Sequence, residues 1–111
     1  MSRHDNSAYL LDIQQAAMLI ASFIENMDEK TFLDDKKTQA AVQHQIMIIG
    51  EATKCLSKEF REENAHIPWN SIARMRDRLI HGYTVVNLHV VWITATQSIP
   101  ELIQSIKSFS E

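Results

Sequence analysis

Turn-making residues are scarce in this chain. Of its 111 residues, two are glycine and two are proline. A sandwich or barrel of many short strands draws its turns from those residues. Their scarcity disfavours such folds and points to a few long helices. A single cysteine, Cys55, leaves no internal disulfide framework and no cysteine-rich zinc site. It fits a reducing compartment, and a cytoplasmic location is the expectation. Positive charge is in deficit: 11 Lys and Arg against 14 Asp and Glu give a net charge of −3. Such a chain does not coat nucleic acid through its overall field, so contact with a polyanion must use a local patch. No apolar run approaches the ~20 residues of a membrane helix. The polar Met1–Asn6 leads into no signal-peptide core. What remains is ordinary for a folded domain, with 45% hydrophobic and 23% charged residues. The length fits a single domain over residues 1–111.

Apolar spacing organises the chain into helices. Leu10, Ile13, Ala17, Ile20, Ile24 and Met27 recur in steps of three and four, which predicts a helix over about residues 6–28 with Asn6 or Ser7 as its cap. Residues 27–31 break that pattern. Val42, Ile46, Ile49, Leu56 and Phe60, with Thr53 filling one turn, predict a second helix over about 34–61. Gly50 sits in its middle at a cost of roughly 1 kcal/mol against alanine; it marks close helix packing or simple drift. Pro68 ends the longest joint, 62–69, and Trp69 is expected in the core beside it. A third helix follows over about 70–81, capped by Asn70 or Ser71 and ended by Gly82. Asn87 starts a fourth, whose stripe of Leu88, Val91, Ala95, Ile99, Leu102, Ile106 and Phe109 is interrupted at Pro100, where a kink or break is expected. The β-branched residues of 84–93 offer a competing short strand, rejected because no second strand candidate exists to pair with it. The expectation is an all-α, up-and-down bundle of four or five helices. So small a bundle leaves enough apolar surface for a homodimer.

The densest chemistry lies in Arg74-Met75-Arg76-Asp77-Arg78-Leu79-Ile80-His81-Gly82-Tyr83. On a helical wheel Ile72, Met75, Arg76, Leu79, Ile80 and Tyr83 share one side, and Arg74, Asp77, Arg78 and His81 the other. Arg76 is therefore expected on a buried face, where a guanidinium requires a carboxylate or an anionic ligand. Glu51 and Glu25 are the candidate carboxylates. His81 lies about 140° from Arg76 on an ideal helix; for both to reach one group, the last turn must distort near Gly82, or a cleft edge or a two-fold axis must gather them. Histidine exchanges protons near neutral pH and arginine grips phosphate. Together they suffice for metal-free RNA cleavage, with the 2′-hydroxyl as nucleophile, His81 moving a proton and Arg76 stabilising the phosphorane. The plainer alternative is a solvated arginine face, a His81 favouring the helix dipole, and a Tyr83 in the core.

Beyond spacing, the block Arg76-x4-His81-Gly82-Tyr83 resembles the R-x4–6-H-x-Y motif of HepT-like toxins, a branch of the HEPN superfamily. Ile49-Gly50-Glu51-Ala52, Ile67-Pro68-Trp69 with Ile72, Val91-Trp92 and Ile99-Pro100-Glu101-Leu102 extend the likeness over nearly the whole chain. The resemblance implies a HEPN-like helical bundle that dimerises with its motifs facing a shared cleft. It implies a metal-independent ribonuclease, without cofactor, acting on RNA as the toxin of a type VII-like toxin–antitoxin pair. The partner it implies is an MNT-type nucleotidyltransferase, which uses ATP to place AMP on the motif tyrosine. Carried over, Arg76 and His81 are catalytic and Tyr83 is the AMP acceptor. Asp77 stands where many members have Asn and is a supporting residue. From its position alone, Glu51 is either a second supporting residue, as a cleft group orienting Arg76, or a surface carboxylate or structural partner of an arginine. Arg74 and Arg78 are candidates to hold RNA phosphate or the attached AMP. The alternative within the same fold is a catalytically inert module that binds nucleotide or RNA and serves mainly as the nucleotidyltransferase's partner; the net charge favours it.

Elsewhere the plain readings prevail. His4, His44, His66 and His89 are scattered without zinc-ligand spacing, and no metal is expected. His44 is read as a packing histidine, Cys55 as a small buried hydrophobe, Trp92 as core, and Glu59, Glu62 and Glu63 as a solvated face.

Overall fold

Four short polar side chains set where helices begin. Asp28 accepts a hydrogen bond from the N–H of Thr31 (2.8 Å), Asp35 from Thr38 (3.0 Å), Ser57 from Phe60 (3.1 Å) and Asn87 from Val90 (3.1 Å). Each satisfies an orphan donor of a first helical turn. The computed structural model describes residues 3–81 and 85–110, with side chains from 6 to 80 and from 85 to 109. Its elements are α1 Arg3–Phe23, α2 Glu29–Leu33, α3 Lys36–Cys55, α4 Lys58–Glu63, α5 Trp69–Ala73, α6 Met75–Leu79, the strands β1 Ile80–His81 and β2 Val85–Val86, then α7 Leu88–Ile93 and α8 Ile99–Ile106. A π-helical turn, Thr94–Ser98, joins the last two, and a 3₁₀ turn, Lys107–Ser110, follows α8. The fold is all-α.

The apolar stripes form the core as their spacing requires. Ile13, Ala17 and Ile20 of α1 meet Val42, Ile46 and Ile49 of α3, and Val91, Ala95, Ile99, Leu102 and Ile106 complete the cluster. α1 packs chiefly on α3 and then on α8. Phe32 of α2 is fully buried, its ring 5.3 Å from that of the half-buried Trp92. Trp69 is buried against Phe60. No helix among the described residues is long and apolar enough to cross a membrane.

Several boundaries differ from expectation. α1 begins at Arg3, so Asn6 lies inside it. Instead of capping, Asn6 is buried and exchanges two hydrogen bonds with Ser57, at 3.1 and 3.0 Å, tying α1 to the start of α4. The chain leaves α1 through Asn26 at φ 61°, a left-handed turn that asparagine tolerates. The second predicted helix is two, because Leu56 is extended and Ser57 starts α4 anew. The break expected at Pro100 is the π turn just before it. Backbone angles stay helical on both sides, and the wider turn accommodates the proline ring without ending the rod. Gly50 packs closely: a Cβ there would stand 3.1 Å from the carbonyl oxygen of Ala73 in α5.

Candidate active site

The motif segment is not one helix. Pro68 starts α5 without a side-chain cap, and after five residues Arg74 leaves helical geometry at φ −97°, ψ 8°. α6 adds five more residues and stops at Leu79, where Ile80 becomes extended. Ile80 and His81 then pair antiparallel with Val86 and Val85. The rejected strand therefore exists, as a ribbon of two residues per strand. Its missing partner was the last predicted turn of the third helix, unwound. The joint is held from outside: Arg78 Nη2 donates to the Ser71 carbonyl at 2.9 Å, and the N–H of Asn87 donates to Leu79 O at 2.7 Å. The 140° separation of an ideal helix thus does not apply to Arg76 and His81, since the backbone distorts between them, two residues before Gly82. Gly82 and Tyr83 lie outside the described residues, as does the His81 side chain.

The break also turns Arg76 outward. Met75 and Leu79 are buried, but the Arg76 side chain is 51% exposed, contrary to the buried position read from a continuous wheel. Its nearest carboxylate is Asp77, with Nη1 3.5 Å from Oδ1. Neither predicted partner reaches it. Glu51 pairs with Lys54 at 3.6 Å on the outer face of α3, and Glu25 is exposed beyond the end of α1. An exposed pair at that distance contributes little, so the Arg76 fork remains disposable for an anionic ligand.

Arg76 lines a groove of about 480 Å³ between α6 and α3. Leu79, Ile80 and Val86 form its side nearest the ribbon, and Lys36, Gln39, Ala40, Gln43, His44 and Met47 its α3 wall. Three lining residues are basic or titratable to a cation, and none is Asp or Glu. Gln39 is committed to structure, donating to the carbonyls of Phe32 and Leu33 at 2.9 and 3.1 Å. Arg74 and Arg78 are exposed but not among the groove's lining residues. A second groove, of about 550 Å³ beside Trp69, carries Glu62 with Lys58 and Arg61 and lies away from Arg76. Among the described residues no three His, Cys, Asp or Glu cluster closely enough to hold a metal ion.

Residues 13–109 match the family model described as ribonuclease HepT-like. The chain belongs to the HepT-like ribonuclease family. A probable ribonuclease HepT of Thermococcus cleftensis is 43% identical over 100 residues, which is 90% of this chain and 91% of that protein. A candidate RNase of Methanocaldococcus jannaschii is 37% identical over 107 residues, 96% of this chain and 88% of the relative. A third, from Caldanaerobacter subterraneus, is 39% identical over 99 residues, 89% and 88% of the two chains. No solved structure matches the chain at a significant level.

In this HepT-like chain the groove includes two polar side chains that sequence reading passed over. His44, read as a packing residue, is exposed in the wall, and Lys36 was not singled out. The signal was present. At 100° per residue His44 stands about 200° from Val42, and Lys36, Ala40 and Met47 share its side of α3, opposite the buried stripe. Cys55 is half-buried rather than buried, and His89 Nδ1 sits 2.7 Å from Glu29 Oε2, tying α7 to α2.

Proposed function

We propose that this chain is a metal-independent ribonuclease toxin whose site is built from Arg76 and His81. The observation that carries the reading is the acid-free groove holding Arg76 beside the strand that carries His81. In the proposed reaction the 2′-hydroxyl oxygen of RNA attacks the adjacent phosphorus and the P–O5′ bond breaks. A 2′,3′-cyclic phosphate and a free 5′-hydroxyl result. His81 moves the proton from the attacking hydroxyl toward the leaving oxygen, and the Arg76 fork stabilises the phosphorane charge. Asp77, 3.5 Å from Arg76, is the supporting residue beside it. Residues 1–111 act as one HEPN unit in a homodimer that faces two such sites across a cleft. Arg74 and Arg78 flank it as phosphate contacts.

In the proposed control, an MNT-type nucleotidyltransferase transfers AMP from ATP to the Tyr83 hydroxyl and releases pyrophosphate. Tyr83 is two residues from His81, so the adduct adds bulk and a negative phosphodiester where RNA must enter. The relatives' names as ribonucleases and the extended motif support the enzyme. The net charge of −3 favours the second reading, an inert module that binds RNA or nucleotide for its partner.

Cleavage of mixed cellular RNA by the unmodified chain in excess chelator separates the two. The enzyme reading expects 2′,3′-cyclic phosphate ends and a loss of about 100-fold or more in His81→Ala and in Arg76→Ala. No cleavage by the unmodified protein would establish the binding module instead. Tyr83→Phe should cleave RNA and escape modification by the partner; full neutralisation of Tyr83→Phe would assign the antitoxin effect to simple occlusion.

A further inference from the structure

The α3 wall of the groove has a use that the motif does not supply. Lys36, Ala40, His44 and Met47 repeat at helical spacing along the face of α3 turned away from its buried stripe, and all four are exposed. From Lys36 to His44 this face runs about 12 Å along the helix axis. Arg76 stands across the groove from it, with α6 packed on α3. Two acids close by in sequence are turned to other work. The Asp35 carboxylate takes the N–H and the hydroxyl of Thr38, at 3.0 and 2.7 Å, and Glu51 takes Lys54. Among the described residues Lys36 makes no ion pair and His44 no hydrogen bond. His44 instead has Ala40 and Met47 beside it and Ile80 and Val86 lining the same groove. A flat ring among apolar neighbours, in line with a lysine and facing an arginine, suits a strand that alternates phosphate with base.

The geometry points to a strand-binding track on α3, in which Lys36 takes a phosphate of single-stranded RNA and His44 stacks on a base next to the bond presented to Arg76 and His81. The inference rests on RNA being the ligand of this groove. Lys36 acts as a point charge that releases counterions. His44 acts through its ring face, so another aromatic ring replaces it. Both side chains are exposed, so their removal leaves the core intact.

The test uses the full chain and a fluorescent single-stranded RNA carrying 2′-O-methyl groups throughout, which cannot be cleaved. Binding is read by anisotropy over a range of salt, beside cleavage of the same sequence with free 2′-hydroxyls. Lys36→Gln should weaken binding about three- to tenfold and reduce the slope of log Kd against log salt by about 0.7. His44→Ala should weaken binding about tenfold without changing that slope, and His44→Phe should restore it. In cleavage both losses should fall on KM. Lys54→Gln, in the last turn of α3 and outside the groove's lining, serves as the surface control and should match the unaltered chain. A chain that cleaves while Lys36→Gln and His44→Ala bind and cleave unchanged refutes the track alone. A chain that binds the blocked RNA through Lys36 and His44 but never cleaves keeps the track and refutes the ribonuclease. A chain that binds no RNA refutes both.

Discussion

Asp35 illustrates how one side chain shapes the site without touching it. Its carboxylate accepts from the Thr38 hydroxyl and then from the Thr38 N–H, and these bonds hold its pKa below the ordinary 3.8. Asp28 is lowered in the same way, first by the N–H of Thr31 and then by its hydroxyl. A carboxyl whose folded pKa is depressed adds stability that is present above the unfolded value and is lost as the pH falls through the folded one. Asp35→Asn keeps a neutral cap but loses that charge. Its melting temperature should sit below the unaltered chain's near neutral pH, and the gap should close as the pH falls below 3.8 and through the lowered value, read by thermal melts across pH. A gap that stays constant with pH would show that the charge of Asp35 contributes nothing. The cap also fixes where Lys36 enters α3, so the same residue that starts the helix aims the first cation of the groove.

At the scale of elements, the α5–α6 break decides the site. A continuous helix over 70–81 would bury Arg76; two five-residue helices with a corner at Arg74 expose it. No glycine or proline marks that corner. It follows from packing: α5 lies so close to α3 that the Ala73 carbonyl nearly touches Gly50, and Arg78 clasps Ser71 across the joint. Gly50→Val should therefore push α5 away from α3 and cost about 1–3 kcal/mol in urea unfolding, although valine is the better helix former. The displaced corner should also lower RNA cleavage. Full stability in Gly50→Val would mean that α5 shifts freely and that the contact does not set the corner. The ribbon is an element of the same kind. Ile80 and His81 leave helical geometry because Val85 and Val86 offer them a ladder, a pairing that the spacing of either segment alone does not announce.

Across the whole molecule, a chain of net charge −3 presents a groove that gathers Arg76, Lys36 and His44 with no carboxylate in its lining. With Arg76 and Lys36 as the fixed cations, about two phosphates are neutralised, and log(kcat/KM) for RNA should fall with log salt at a slope of about −1.4. Cleavage at several potassium chloride concentrations measures it. A slope near zero would place the substrate's charge outside this groove, whereas one much steeper would call for further cations such as Arg74. Periodicity determined the helical class and the central stripes of the core, because an apolar residue every three or four positions makes one face that must be buried, and Asn87 as a capping residue marked the start of α7; Phe32, fully buried in α2, lay in no such stripe. The extended motif determined the family, because Arg76, His81 and Tyr83 stand at fixed intervals whatever the backbone does between them. Tertiary structure decided which way Arg76 faces, where the motif helix breaks, and that Lys36 and His44 of α3 share its groove. Those outcomes depend on a close approach of two helices and on a strand pair formed between segments that each read as helix or loop, and neither is written in the pattern of one segment.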